Sequence, residues 1–214
     1  MMRRRPMNGN SLGFARMADI IPEGESGDAK VKHMVISEQD AKFSRLRQVA
    51  TRGREMAVEP GKIAQLFVGG SLMMSDTPHE QSSNWDLLRE AHGDVLIAGL
   101  GLGLVVLPLL NKERVQSVTV VEKSPGVIKL VEEPIRNAAG DRGEAFQVIE
   151  ADIFEWKPPR GSRFHAIYFD IWPNITRSNL KDMHKLHAKF RRRKASRYSW
   201  MSSWLYEELK EGWY

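Results

Sequence analysis

From Val95 to Ala98 every position is apolar, and this unbroken run predicts a strand covered on both faces, as in a parallel sheet. Gly99, Gly101 and Gly103 follow at once, so the turn after the strand carries few side chains. Ser117 to Val121 predicts the next strand, and Glu122 stands at its carboxyl end, where open α/β sheets bind their ligands. Ser124 to Ala138 has the spacing of an amphipathic helix, with Val127, Ile128, Leu130 and Val131 on its buried face and Pro125 in its first turn. Two prolines disturb the pattern: Pro134 is expected to shorten or bend this helix, and Pro108 to kink or end the one after the glycine turn. Ala145 to Glu150 and Arg163 to Ile171 read as third and fourth strands, and Tyr198 to Leu205 as a short fifth strand or a loop. Strands alternating with helices predict an α/β fold with a doubly wound, mostly parallel, Rossmann-like sheet.

The chain before this unit is patterned differently. Residues 1–30 carry RRRP, NGNS and PEGESGD with little apolar periodicity, which predicts a mobile, disordered tail. Val31 to Ser37 predicts a short strand, and Glu38 to Val49 a helix with Phe43, Leu46 and Val49 at helical spacing. Gly53 and the turn signal Pro60-Gly61 interrupt the chain next. Ile63 to Val68 and Ser71 to Met74 flank Gly69-Gly70, the pattern of a β-hairpin with a two-residue turn. Thr77-Pro78-His79-Glu80 then combines an N-cap hydroxyl, a proline at the first helical position and a glutamate three residues after the cap. That helix is expected to run to Ala91 and stop near Gly93. The resulting division is a tail over 1–30, a small hairpin-and-helix region over 31–92, and the Rossmann-like domain over 93–214.

Composition adds three constraints. There are no cysteines, which removes disulfides, thiolate metal sites and cysteine nucleophiles and makes a reducing cytoplasm the simplest location. No run of about 18 apolar residues occurs and the first residues lack an apolar leader, so neither membrane insertion nor export is expected. The net charge of +5 is uneven: Arg177 to Arg197 holds nine Lys/Arg against Asp182, leaving the rest of the chain at −3. Such a block is either a solvated helix face or an anion-binding surface, and Arg191, Arg192, Arg193 and Lys194 beside Tyr198 are its candidate nucleic-acid contacts.

The glycine spacing narrows the chemistry. A dinucleotide turn of the GxGxxG type needs glycine at position 104, which is Leu104, and no Gly-Lys-Ser/Thr follows for a phosphate loop. Close strand–helix packing alone also accounts for a single glycine motif. Its surroundings change the weighting. Glu122 lies at the distance along the chain at which a carboxylate meets ribose hydroxyls, Asp152 follows the third strand, and Asp170 ends the fourth beside Trp172 and Pro173. Each acid alone also reads as a helix cap; three at successive strand ends place a ligand site on one rim. His184 and His187, three apart on a helix, have no evident third ligand, so no metal is expected.

Over roughly Ile63 to Ile171 the sequence resembles the class I S-adenosylmethionine-dependent methyltransferase superfamily, and within it the spermidine synthase-like branch, including short phage-borne members, for which the location would be the host cytoplasm. The residues that carry the likeness are VLIAGLGLG, VVEKSPGVI, EADIF, YFDIWPN and LFVGGSLMMSDTPHE. The resemblance implies that Gly99, Leu100, Gly101 and Gly103 accommodate the methionine part of S-adenosylmethionine or its decarboxylated form. Glu122 with Lys123 would hold ribose, and Asp152 with Ile153 the adenine. It also implies Asp170 as the catalytic group, and Asp76, Glu80, Trp172 and Pro173 as substrate contacts. Three positions depart from the aminopropyltransferase pattern: Leu102 replaces an aspartate in the turn, Pro173 replaces a second aspartate, and Met73 replaces a glutamine in the hairpin. Methyl transfer to an amine or another small nucleophile needs none of the missing acids, so it precedes aminopropyl transfer as the expected reaction, with a small-molecule acceptor as partner. A nucleotide- or nucleic-acid-binding module without catalysis is the third reading. The short stretch after the fourth or fifth strand is expected to leave a sheet edge open, with the N-terminal region or a second copy in a homo-oligomer as its expected cover.

Overall fold

The computed structural model describes residues 14–51 and 56–212. Two sheets are present. The larger runs through β5 (Gly93–Ala98), β6 (Val115–Glu122), β7 (Phe146–Glu150), β8 (Ala166–Phe169) and β9 (Trp200–Ser203) in the order β7-β6-β5-β8-β9, with every pairing parallel. This is the α/β, Rossmann-like arrangement that the alternating pattern predicts, and β5, flanked on both sides, is its centre. Alternation along β5 divides the core. Val95 and Ile97 pack with α4 (Val106–Leu110) and α5 (Pro125–Ala138), whereas Leu96 and Ala98 pack against Leu186 and Phe190 of α6 (Asn179–Phe190).

The smaller sheet is antiparallel: β1 (Gly24–Ser26), β2 (Ala29–Ile36), β3 (Gly61–Val68) and β4 (Ser71–Ser75). Gly69 and Gly70 both have positive φ, 57° and 79°, as the two-residue hairpin turn requires. Residues 14–30 correct the expectation of a tail running to 30. Met17 and Ile21 are fully buried in the main core and residues 24–26 pair with β2, so two well-placed apolar side chains anchor a segment that is otherwise polar. The rest of that expectation, residues 1–13, and the break at Gly53 lie outside the described residues.

The helices follow the pattern with informative departures. α1 (Glu38–Ala50) is capped by Ser37, whose Oγ accepts from Asp40 N–H while the Asp40 carboxylate accepts in return. Its apolar positions Phe43, Leu46 and Val49 are exposed, and Ala41 and Ser44 face inward instead. The helix expected over 77–91 is split at Asn84 into α2 (Pro78–Ser83) and α3 (Trp85–Glu90), and Thr77 makes no side-chain cap bond. Pro108 lies in a helix of only five residues. Pro134, by contrast, does not shorten α5, because burial of Val127, Val131 and Ile135 holds the helix to the sheet across the missing bond. After the fifth strand the chain closes with α7 (Tyr206–Lys210).

Candidate functional site

The carboxyl ends of β5, β6, β7 and β8 open into one cavity. Its floor is Ile97, Gly99, Leu100, Gly101, Val121 and Ile153; Leu66, Val68, Met73 and Met74 of the hairpin form an apolar wall. Glu80, Glu122, Asp152 and Asp170 are the acids on its lining, and Lys123 at the mouth is the one lining cation among the described residues.

Gly99 and Gly101 explain how the turn comes so close to its surroundings. At Gly99, with φ 97°, a Cβ would lie 2.0 Å from the backbone oxygen of Asp170, so β5 and β8 can meet there only without a side chain. At Gly101, with φ 53°, it would lie 2.2 Å from Met74 Sδ. The sulfur is instead 3.0 Å from the Leu102 N–H, which donates to it, so the hairpin is pinned to the turn. Leu102 itself is fully buried in the core and does not line the cavity, and Gly103 sits against Ile135 and Val131 of α5. Of the turn residues expected at a ligand, Gly99, Leu100 and Gly101 line the cavity and Gly103 packs the fold.

Glu122 joins the turn to the next helix. Its Oε2 accepts from Leu100 N–H at 2.8 Å and its Oε1 accepts from Ser124 N–H at 2.8 Å, while Ser124 Oγ caps α5 at Val127. Each oxygen keeps a lone pair beyond these bonds. Asp152 is exposed at the rim, with Oδ1 accepting from Phe154 N–H, and Lys189 of α6 fixes that loop by donating to the carbonyls of Ile153 and Phe154.

Asp170 and Glu80 are the unusual pair. Burial, and secondarily the charge of Glu80, pushes the Asp170 carboxyl from 3.8 up to about 7. Glu80 is itself raised by burial, partly offset by a bond from the Ser75 backbone. Asp170 therefore changes protonation near neutrality, as a general base should.

Asp76, expected as a substrate contact, is not on this lining. It is buried away from the cavity, where Oδ2 accepts from Met17 N–H at 2.6 Å and Oδ1 from Ala64 N–H at 2.8 Å; burial outweighs those bonds and raises its carboxyl. It ties the N-terminal segment to β3. Pro173 is exposed and off the lining, whereas Trp172 is on it. Asn84, Met74 and Trp204 also line the cavity, and no local motif marks them. Asn84 donates to the Glu80 carbonyl and accepts from the buried Tyr168 hydroxyl at 3.0 Å, and Trp204 Nε1 donates to Ser83 Oγ at 2.9 Å. The helix break at Asn84 is what places it there. His187 and His184 form no metal cluster among the described residues. His187 shares a hydrogen bond with Ser203 Oγ, and burial, then His184, lowers it to about 4.

No protein-family profile matches the chain. Polyamine aminopropyltransferase 1 of Streptomyces coelicolor is 31% identical over 130 residues, covering 58% of this chain and 24% of that protein, so the chain spans about a quarter of the curated relative's length. Similar solved structures include the CcbJ methyltransferase from Streptomyces caelestis, 17% identical with a TM-score of 0.43 over 56% of this chain and 45% of that one. The glycopeptide N-methyltransferase MtfA complexed with S-adenosyl-L-methionine is 16% identical with a TM-score of 0.43, over 56% and 48%. Likenesses of that size carry no functional weight, and the fold class rests on the sheet order and its parallel pairings.

Proposed function

We propose that the chain is an S-adenosylmethionine-dependent transferase that methylates an amine or another small nucleophile. The observation that carries this reading is Asp170, a carboxyl poised near neutrality at the end of β8, in the same cavity as the Glu122-braced glycine turn. The donor set fits the cofactor. Glu122 retains acceptor capacity for ribose hydroxyls, Ile153 and Val121 offer an apolar surface to adenine, and Gly99, Leu100 and Gly101 line the cavity where the amino-acid part would lie. When bound, such a cofactor supplies an activated methyl group on a sulfonium.

The residues then have limited tasks. Asp170 accepts the proton that the acceptor nitrogen gives up, and burial, with the Glu80 charge second, keeps Asp170 basic enough to take it. Asn84, fixed by Tyr168, holds the Glu80 segment in place. The hairpin wall of Met73, Met74, Leu66 and Val68 excludes water and aligns the acceptor; such positioning contributes ~7–11 kcal/mol in well-oriented systems.

Aminopropyl transfer from decarboxylated S-adenosylmethionine is the second reading, favoured by the curated relative. Against it, Leu102 is buried where an ammonium-gripping acid is expected, and the hairpin contributes methionines. The two separate in one experiment. Purified protein is incubated with each cofactor and a panel of mono- and diamines, and products are weighed by mass spectrometry. Methylated amine supports the proposal, aminopropylated amine supports the alternative, and neither product with either cofactor refutes both.

A further inference from the structure

Eight cations lie away from the cavity, on two segments that are distant in sequence. Lys157, Arg160 and Arg163 belong to the loop entering β8; Arg191, Arg192, Arg193, Lys194 and Arg197 lie between α6 and β9. Backbone bonds join the segments. The Arg193 carbonyl accepts from Phe164 N–H at 2.8 Å, the Phe164 carbonyl accepts from Ala195 N–H at 2.8 Å, and Arg193 Nη1 donates to the Pro159 carbonyl at 3.3 Å. Residues 157–163 and 191–198 include no acid, so the fold gathers eight positive charges on a chain whose total is +5. None of the eight joins an ion pair among the described residues, unlike Lys185 on the neighbouring helix, which pairs with Asp182. A merely solvated face would interleave acids in that way.

The second observation is Tyr198. The residue is 77% exposed, and the Arg197 guanidinium sits 4.7 Å from the ring centroid and donates to Oη at 2.5 Å. The turn beneath is ordered: Tyr198 N–H donates to Ser196 Oγ at 3.1 Å, and Ser196 N–H to Ser199 Oγ at 2.9 Å. An aromatic ring held outward among unpaired arginines is a stacking platform beside a phosphate track.

We propose that this ridge binds single-stranded nucleic acid, with phosphates along the two arginine-bearing loops and a base stacked on the open face of Tyr198. The ridge precedes β8 and β9, whereas the cavity lies at their carboxyl ends, so a bound strand leaves the cavity free. It tethers the chain to a polymer and does not present that polymer to Asp170. The inference therefore stands apart from the transferase reading.

Fluorescence anisotropy of the whole chain with fluorescein-labelled oligo(dT) and oligo(U), roughly 20 nucleotides long, tests it. Saturable binding is expected at about 50 mM salt, weakening roughly a hundredfold by about 200 mM if about five phosphates are neutralised. Arg191→Ser/Arg192→Ser/Arg197→Ser should weaken binding at least about tenfold and reduce the salt slope by about 2. Tyr198→Ala should weaken it about fivefold or more with the slope unchanged. All these side chains are exposed, so melting temperatures should stay at the wild-type value. Absence of binding to either oligonucleotide overturns the proposal. So do wild-type affinity in the Tyr198 variant, competition by polyglutamate equal to that of unlabelled oligonucleotide, or capture by phosphatidylserine vesicles with no oligonucleotide binding.

Discussion

Replacing Asp170 with asparagine should stabilise the protein while removing its proposed chemistry. The carboxyl is raised from 3.8 to about 7, chiefly by burial and then by Glu80. At about 1.36 kcal/mol per unit that is ~4 kcal/mol against the ionised form, and screening by solvent in the open cavity reduces it to about 2 kcal/mol. The sign follows from linkage. Below about pH 4 the group is protonated in both folded and unfolded chains and costs nothing. Between about pH 4 and pH 7 the unfolded chain loses the proton first, so stability falls as pH rises, and above about 7 the penalty is constant. Asparagine is neutral throughout, so its advantage should be small at about pH 4.5 and full at about pH 8, where it corresponds to roughly 4–8 °C in melting temperature. Scanning fluorimetry of wild type and Asp170→Asn at both pH values is the assay. An equal shift at the two pH values, or a lower melting temperature for the variant at the higher one, would refute the burial argument.

Other perturbations follow from the same geometry. Glu80→Gln removes the like charge facing Asp170, so the acidic limb of the pH–rate profile, with its midpoint near 7 in the wild type, should move down by up to about one unit; an unmoved limb contradicts the coupling. Asp76→Ala leaves the buried N–H groups of Met17 and Ala64 without their acceptor, at about 1–3 kcal/mol each, and limited proteolysis should then cut within residues 14–30. Gly99→Ala forces a Cβ against the Asp170 backbone at a positive φ and should cost several kcal/mol, read as lost denaturant resistance; a neutral effect would mean that β5 and β8 do not meet as described.

The legible parts of the chain were those whose physics is local. The unbroken run at Val95–Ala98 can be satisfied only by cover on both faces, and it became the central strand. Glu122 and Asp170 were visible because strand ends in a parallel sheet share one rim, and both line the cavity there. Asp76 looked the same in sequence, but its bonds to Met17 and Ala64 depend on a distant segment, which no spacing encodes. The same dependence sets the burial of Met17 and Ile21 and the exposure of Phe43, Leu46 and Val49 on a helix whose spacing is locally legible. Met74 and Asn84 reach the cavity through a hairpin turn and a helix break, geometry visible only after folding.

Isothermal titration with S-adenosylmethionine and S-adenosylhomocysteine decides whether the braced glycine turn binds an adenosyl-sulfonium. Saturable one-to-one binding is expected. Glu122→Gln should weaken it by at least about tenfold, because the amide keeps one oxygen for two backbone N–H donors, Leu100 and Ser124, and its NH2 group cannot accept from the second. Absence of saturable binding for both ligands and for decarboxylated S-adenosylmethionine would show that the turn holds no adenosyl-sulfonium.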